Sequence, residues 1–438
     1  MKLSKYTHLF NDKGQYFLFN AETVFFSEID KELYTNLHDR EFDRIPEAVM
    51  GKLKEKRVVI EDTETDLYFY NCKTNTLLKA YDTRTLTIVI APTTGCNFEC
   101  PYCFEPKKNP KTMTPEVENR IIEFINSKTH AENIAITWYG GEPLLAFDII
   151  ERLYDRIVAE TGKKITAHGI ITNGFLINNR IIDFFKRSGL KNIQISFDGI
   201  KKNHDQSRYL KDGHKPTFDR IVANMEKLAR AIPELNIQAR VNINRENVLD
   251  FAEIFKMFSD HDWCRKVNVY PGIIHEDSVD GATICSRCYT ESNLPELYEL
   301  IEQSGVPVNY LPKISNKGCI LQSVEALIIG PEGELYKCWE DVSKPERIIG
   351  SIMEGNTGDY RLMMRYLHEC GAFDEECKKC SVFPVCWGGC GYRRYRNLYN
   401  GAELELCSPL KNPELMKRVM LDFIRAGKPE AKKFVSMF

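Results

Sequence analysis

The sequence predicts the α/β class: a partial (β/α)6 TIM-type barrel between a small N-terminal domain and a cysteine-rich C-terminal one. Three observations carry this expectation. Strand-like and helix-like runs alternate six times between residues 85 and 275. Such alternation builds a parallel sheet with helices outside, and six units are fewer than the eight of a closed barrel. After Pro271 the alternation stops, and residues 319–407 are short segments punctuated by cysteine, glycine and proline. The fifteen cysteines are uneven: Cys96, Cys100 and Cys103 sit together, and eight more lie between Cys319 and Cys407. A region so poor in long apolar runs needs metal staples to fold.

Taken in order, Leu9-Phe10, a turn at residues 11–14 and an apolar run at 16–19 read as a strand pair. Helical patterns at 29–37 and 45–54 and a strand-like 57–60 follow, an arrangement that resembles a small winged-helix unit over residues 1–84. Barrel strands are expected at 85–90, 134–138, 166–171, 193–197, 237–242 and 267–270. A helix begins at Thr114-Pro115, a capping residue followed by proline at the first helical position. Further helices fall at 149–158, 180–187, 218–231 and 251–258. The barrel then spans 85–275, a linker with one helix at 294–303 covers 276–318, and the cysteine-rich domain covers 319–438.

Composition sets outer limits. With 438 residues, 43% hydrophobic and 28% charged, the chain is globular and long enough for more than one domain. Lys plus Arg (59) against Asp plus Glu (62) gives a net charge of −3, which removes the usual electrostatic case for a nucleic-acid or acidic-membrane partner. No apolar run approaches the roughly 20 residues that span a bilayer, and the first residues lack the apolar core of a signal peptide. A soluble, cytoplasmic protein is expected, and in that reducing compartment thiols serve metals or catalysis rather than disulfides.

Gly95-Cys96-Asn97-Phe98-Glu99-Cys100-Pro101-Tyr102-Cys103 is C-x3-C-x2-C, placed directly after the first barrel strand. Three thiolates can hold three irons of a [4Fe–4S] cluster and leave the fourth iron open to a ligand. A zinc knuckle is the rival reading, but no histidine stands nearby to complete tetrahedral zinc. Other motifs close successive strands: Trp138-Tyr139-Gly140-Gly141-Glu142-Pro143, Ile171-Thr172-Asn173-Gly174, and Gln194-Ile195-Ser196-Phe197-Asp198-Gly199. Glycines at such a place let backbone approach a ligand closely. His204-Asp205 followed by Arg208 comes next.

In this order the motifs resemble the radical SAM superfamily, whose signature is C-x3-C-x-aromatic-C, with Tyr102 as the aromatic residue. The resemblance implies that the open iron binds S-adenosylmethionine. An electron from the cluster then cleaves the sulfonium, giving a 5′-deoxyadenosyl radical that abstracts a substrate hydrogen. Residue by residue it implies Cys96, Cys100 and Cys103 as cluster ligands, with Gly140, Gly141 and Glu142 at the methionine amino group. Ser196 is expected on the cosubstrate's ribose or carboxylate, Arg208 on its carboxylate, and Tyr102 and Asn173 complete the site.

Cys319-x13-Gly333-x4-Cys338, then Cys377-x2-Cys380-x5-Cys386-x3-Cys390 and Cys407, resembles the SPASM extension of peptide-modifying radical SAM enzymes. That resemblance implies two auxiliary [4Fe–4S] clusters, hence three in all. Cys377, Cys380, Cys386 and Cys407 would ligate the distal one, and Cys319, Cys338 and Cys390 the proximal one. Either Cys285 or Cys288 supplies the fourth proximal ligand, or that position is open to substrate. A zinc ribbon is the alternative for residues 377–390. Cys72, Cys264 and Cys370 read as ordinary buried thiols.

SPASM relatives act mainly on peptides, and the N-terminal unit resembles the peptide-recognition domain fused to maturases of ribosomally made peptides. Such domains bind an extended leader as an added strand, and residues 16–19 or their hairpin partner form the expected edge. The other reading is a domain that only buttresses the barrel. The leading expectation is a maturase that abstracts a hydrogen from a precursor peptide and installs a thioether or carbon–carbon cross-link. Its partners are that precursor with its leader and an electron donor such as flavodoxin or ferredoxin. Formylglycine formation, as in anaerobic sulfatase maturases, and peptide epimerisation are the alternatives. In the sulfatase maturases an aspartate, the proposed base, follows the cysteine matching Cys338, and here Trp339 stands in its place. A zinc-stabilised interaction module is the non-enzyme alternative. Glu105, Glu340 and Asp341 are base candidates by nearness to cluster ligands.

Overall fold

A computed structural model describes residues 1–103, 110–274, 288–306, 308–309, 319–353, 359–425 and 435–436. Five short strands open the chain: β1 (Lys2–Leu3), β2 (Thr7–Asp12), β3 (Gln15–Asn20), β4 (Phe25–Ile29) and β5 (Val59–Ile60). With them come helices α1 (Lys31–His38), α2 (Glu47–Glu55) and α3 (Leu67–Ala80). The tight β2–β3 turn runs through Lys13 and Gly14, both at positive φ. α1 starts at Asp30, whose carboxylate accepts the Leu33 amide at 2.7 Å, satisfying one of the orphan donors of a helix start.

One of the two expected edges fails here: the sheet order is β2-β3-β4, so the run at 16–19 lies in the central strand, paired on both sides, whereas its hairpin partner β2 is an edge. The edges are β2 and β4. α3 was not anticipated, because its buried Phe69, Cys72, Thr76 and Ala80 are interleaved with exposed polar residues, a weak amphipathic signal.

The barrel follows the expected alternation closely. Its strands are β6 (Thr85–Ile90), β7 (Asn133–Trp138), β8 (Lys164–Thr172), β9 (Asn192–Phe197), β10 (Asn236–Ile243) and β11 (Val267–Ile273). All pair in parallel in sequence order. Between them lie α4 (Pro115–Ser127), α5 (Phe147–Glu160), α6 (Asn179–Arg187), α7 (Lys201–Ser207), α8 (Phe218–Ala231) and α9 (Asp250–Asp260). Alternation along each strand divides the two faces. In β9 and β10, Ile193, Ile195, Phe197, Ile237, Ala239 and Val241 are buried in the core. Their neighbours Gln194, Ser196, Arg240 and Asn242 face the interior cavity.

Beyond the barrel come α10 (Leu294–Gln303), β12 (Val308–Asn309), β13 (Ala326–Ile329), β14 (Glu334–Tyr336) and β15 (Gly350–Ser351). Helices α11 (Tyr360–His368), α12 (Glu375–Lys379), α13 (Phe383–Cys386), α14 (Gly391–Asn400) and α15 (Pro413–Arg425) follow, then β16 (Val435–Ser436) beside β12. The cysteine-rich region is not a separate bead. β13 adds to β6 in parallel, with Ala326 opposite Thr87 and Ile329 opposite Ile90, and β14 and β15 continue antiparallel to a nine-stranded sheet.

The N-terminal unit rests on this region. Lys5 Nζ donates to the Lys378 carbonyl at 2.6 Å, a His8 ring nitrogen lies 3.4 Å from the Ser381 carbonyl, and Phe69 packs on Phe383.

His168 of β8 tests the packing of the barrel. It accepts the Trp138 indole N–H at 2.9 Å and stacks on Tyr154. Burial pushes its imidazole down to about 4. The unfolded chain's histidine protonates below about 6.5, so between those values the unfolded state binds more protons and stability falls as pH drops. His204, also lowered by burial and by Arg208, adds the same sign. His168→Gln is expected to reduce, without abolishing, the loss of stability between about pH 6.5 and about pH 4.5 in denaturant titrations. An unchanged slope contradicts the assignment.

Candidate functional site

The C-terminal ends of the barrel strands open into one cavity of about 550 Å³. Cys96, Cys100 and Cys103 line it, with Tyr102 between the last two. Gly140, Gly141, Asn173, Ser196 and Arg208 line it as well. The sequence motifs therefore converge. Glu142 is the exception: it is fully buried and outside the lining.

The glycines have a reason beyond ligand approach. Gly140 sits at φ +125°, and a Cβ there would overlap the Thr93 carbonyl oxygen. A Cβ on Gly141 would stand 2.5 Å from the oxygens of both Thr94 and Gly95. The Gly141 and Glu142 amides donate to the Thr93 and Gly95 carbonyls at 3.1 and 2.8 Å. This turn therefore clamps the loop that leads into Cys96.

Glu142 locks the same junction from inside. Its carboxylate accepts from Thr172 Oγ1 at 2.7 Å, the Asn173 amide at 2.7 Å and the Leu144 amide at 3.0 Å. Burial raises its carboxyl despite these donors. Asn173 in turn donates to Asn97 Oδ1 at 2.8 Å, tying the third strand's end to the cysteine loop.

Tyr102 is the centre of a second network. Its hydroxyl donates to the Asp198 carboxylate at 2.6–2.7 Å and accepts from Arg208 Nη1 at 3.0 Å and from Asn242 Nδ2 at 3.3 Å. Ser207 and Asn242 also donate to Asp198. Arg208 lies over the Phe98 ring, with its buried Nε left without a partner. His204 receives the Asp198 amide, and Asp205 accepts the amides of Thr217 and Phe218. The expected His-Asp-x-x-Arg run thus supports Arg208 through two structural neighbours. Asp198 and Asn242 were missed as site residues. Their signal was faint: polar residues at the ends of the fourth and fifth strands.

The cysteine-rich region supplies the cavity's remaining wall. Cys338, Trp339 and Glu340 line it together with Cys96 and Cys100. The Trp339 ring packs edge-on against Tyr139, centroids 4.8 Å apart. Of the two base candidates among the described residues, Glu340 reaches the cavity. Asp341 is fully buried, accepts from Tyr366 at 3.1 Å, and is pushed up to about 7 by burial. Glu105 lies outside the described residues.

Neighbouring thiols among the C-terminal cysteines raise one another electrostatically. Cys390 feels Cys319, and Cys338 feels Cys390. Cys377 feels Cys386, and Cys386 feels Cys380 and Cys407. Among the described residues no three His, Cys, Asp or Glu side chains converge tightly enough to hold a single ion. Several of these sulfurs meet donors: Cys377 an Arg394 guanidinium N–H at 3.5 Å, Cys386 the Ser408 amide at 3.4 Å, and Cys96 the Phe98 amide at 3.4 Å. Donors of this kind tune iron–sulfur clusters. Burial pushes the Cys96 and Cys377 thiols up to about 12, an environment in which only a bound cation makes thiolate the favoured form. Three thiols around a cavity that also presents an arginine with a buried, unpaired Nε fit a cluster whose cosubstrate bears a carboxylate.

Cys288 is buried and disulfide-bonded, contrary to the expectation of thiols without disulfides, so it does not stand as a free fourth ligand; Cys285 lies outside the described residues, as does the segment 310–318 before Cys319. Cys72, Cys264 and Cys370 are buried, as ordinary thiols should be. Among the described residues no helix is long and apolar enough to cross a membrane.

A model of the radical SAM superfamily matches residues 90–258. An uncharacterised protein of Synechocystis sp. (strain ATCC 27184 / PCC 6803 / Kazusa) is 30% identical over 367 residues, 73% of this chain and 87% of that protein. The chain belongs to the radical SAM superfamily. It is therefore an enzyme of a family that uses a [4Fe–4S] cluster and S-adenosylmethionine. A cysteine-type anaerobic sulfatase-maturating enzyme of Clostridium novyi (strain NT) is 25% identical over 346 residues, 73% of this chain and 91% of that enzyme. The structure of Streptococcus suis SuiB bound to S-adenosylmethionine shares the fold, with a TM-score of 0.52 and 18% identity, over 93% of this chain and 98% of that one.

For a radical SAM cavity, the Tyr102 network makes a specific prediction. Tyr102→Phe removes the hydroxyl that orients Arg208, and S-adenosylmethionine affinity is expected to fall roughly tenfold. Iron uptake by Cys96, Cys100 and Cys103 should persist. Unchanged affinity by equilibrium binding contradicts that role.

Proposed function

We propose that this enzyme matures a ribosomally made precursor peptide, abstracting a hydrogen atom from one residue and installing an intramolecular thioether or carbon–carbon cross-link. The observation that carries the reading is the shared cavity: Cys338, Trp339 and Glu340 stand in one wall, and Cys96, Cys100 and Cys103 in the other. A peptide residue between them is within reach of both thiol groups.

In this reading Cys96, Cys100 and Cys103 hold the cluster of the family. Cys319, Cys338 and Cys390 hold a second cluster, and Cys377, Cys380, Cys386 and Cys407 a third. When bound, the first cluster supplies the electron that cleaves S-adenosylmethionine to methionine and the hydrogen-abstracting 5′-deoxyadenosyl radical. The chain's own residues bind and shield. Gly140 and Gly141 present backbone to the methionine amino group, Arg208 takes its carboxylate, Ser196 meets the ribose or the carboxylate, and Tyr102 and Asn173 fix the loop and strand end on which they sit. Glu142 serves through Thr172 and Asn173 rather than by contact. Ile171, Ile273 and the Tyr139–Trp339 pair are apolar lining that keeps water from the radical. A flavodoxin- or ferredoxin-type donor supplies the electrons.

The N-terminal unit is the proposed leader site. The leader would add to β4, because β2 carries His8 against the Ser381 carbonyl. The likeness to SuiB extends over 93% of the chain, whereas the sulfatase-maturating relative matches 73% of it. Formylglycine formation is the second reading, favoured by that relative's name. Against it, Trp339 occupies the place of the sulfatase maturases' aspartate and packs on Tyr139.

Replacing Cys96, Cys100 and Cys103 with Ala is expected to abolish 5′-deoxyadenosine formation, measured chromatographically in anaerobic assays with dithionite. Surviving cleavage contradicts the site. With a short precursor peptide encoded beside the gene, the product should be two hydrogens lighter. An unchanged mass indicates epimerisation, and conversion of a cysteine to formylglycine indicates the second reading.

A further inference from the structure

Two arginines enter the cavity, and they are not equivalent. Arg208 is held by Tyr102 and lies 3.8 Å from the Asp198 carboxylate. Arg240, from the middle of β10, lines the same cavity with no carboxylate paired to it among the described residues, and its buried Nε has no partner. A guanidinium stripped of water on one edge and left unpaired is costly unless something completes it.

The fold makes room for this side chain. Gly272 of β11 stands opposite Asn242, two residues along from Arg240's own partner Tyr270. A Cβ on Gly272 would overlap Arg240 Nε and stand 2.8 Å from its Cγ. On the other side, Ser196 is in register with Arg240 on β9. The Tyr270 hydroxyl donates to Gln194 Oε1 at 2.7 Å, which occupies the amide oxygen and leaves the amide N–H2 of Gln194 as the group it can offer to the cavity. The inner faces of the fourth to sixth strands thus bring the Arg240 guanidinium and the Gln194 amide together, with no carboxylate paired to Arg240 among the described residues.

We infer that Arg240, flanked by Gln194, anchors a carboxylate of the substrate peptide. A planar guanidinium edge matches a carboxylate in two parallel hydrogen bonds, which neither a neutral amide nor a single backbone carbonyl can return. The carboxylate is either an Asp or Glu side chain near the modified residue or the peptide's C-terminus. The inference rests on the peptide-maturase reading and names the chemistry of the residue presented to the cavity. Arg208 keeps the cosubstrate's carboxylate, and Arg240 takes the substrate's.

The test uses the full-length, anaerobically reconstituted enzyme with S-adenosylmethionine and three probe peptides. These are N-acetylated, C-amidated Gly-Gly-Glu-Gly-Gly, its Gln counterpart, and N-acetylated pentaglycine with a free C-terminus. The carboxylate-bearing probes are expected to bind roughly tenfold or more tightly than the Gln peptide. Which of the two binds better identifies the source of the carboxylate. Arg240→Gln should erase the preference, Arg240→Lys should keep part of it, and S-adenosylmethionine affinity should be the same in both variants as in the parent. Equal binding of all three peptides by the parent enzyme, including no detectable binding, overturns the inference. So does a preference that survives in Arg240→Gln, and so does a loss confined to S-adenosylmethionine affinity, which would place Arg240 in the cosubstrate site. Failure of the maturase reading is seen separately, as a precursor peptide that leaves the reaction without losing two hydrogens.

Discussion

The parallel pairing of β13 with β6 is the constraint on which the rest of the site depends. β6 ends in the loop that carries Cys96, Cys100 and Cys103. β13 runs beside it in the same direction, four residues in register, then turns through Gly330–Gly333 into β14 and reaches Cys338. Gly333 takes φ +86° in that turn, where any side chain would press on Ile352 and Met353. One strand therefore sets the position of both thiol groups. Without β13, the edge of β6 would present unpaired backbone groups to solvent, and the cavity would lose a wall.

Around that constraint the molecule divides its polar and apolar chemistry. Polar networks hold the near side: Glu142 beneath the cysteine loop, and the Tyr102–Asp198–Arg208–Asn242 cluster beside it. Each is buried, so each hydrogen bond is strong and each lost partner expensive. The far side is aromatic, with Trp339 against Tyr139. A hydrogen-abstracting radical calls for this division, because rigid polar groups can orient a charged cosubstrate while an apolar wall leaves no solvent hydrogen in range.

Much of this was legible in the sequence. The six barrel strands and their helices appear where period-2 apolar runs alternate with amphipathic ones, because each such unit is a local solution to burying one face. The motifs at the strand ends were legible for a related reason: chemistry needs specific residues at the one place where all strands converge. The failures are non-local. Ala326-Leu327-Ile328-Ile329 is an ordinary apolar strand, but its pairing with a strand some 240 residues earlier has no local signature. Whether residues 16–19 form an edge depends on β4, which a reading of the hairpin alone does not supply. Glu142 sits inside a ligand-binding motif and acts on its neighbours instead, which only the hydrogen bonds to Thr172 and Asn173 reveal. Arg240 is invisible in sequence as anything but one charge in a polar-apolar alternation; its meaning comes from Gly272 opposite and from the partner it lacks.

The partition of ten thiols over three clusters is tested most directly by iron and sulfide analysis after anaerobic reconstitution, comparing the parent enzyme with the variant lacking Cys96, Cys100 and Cys103. The parent should carry about twelve irons per chain and the variant about eight, both with matching sulfide. About four irons in the parent, or loss of all iron in the variant, would contradict the partition.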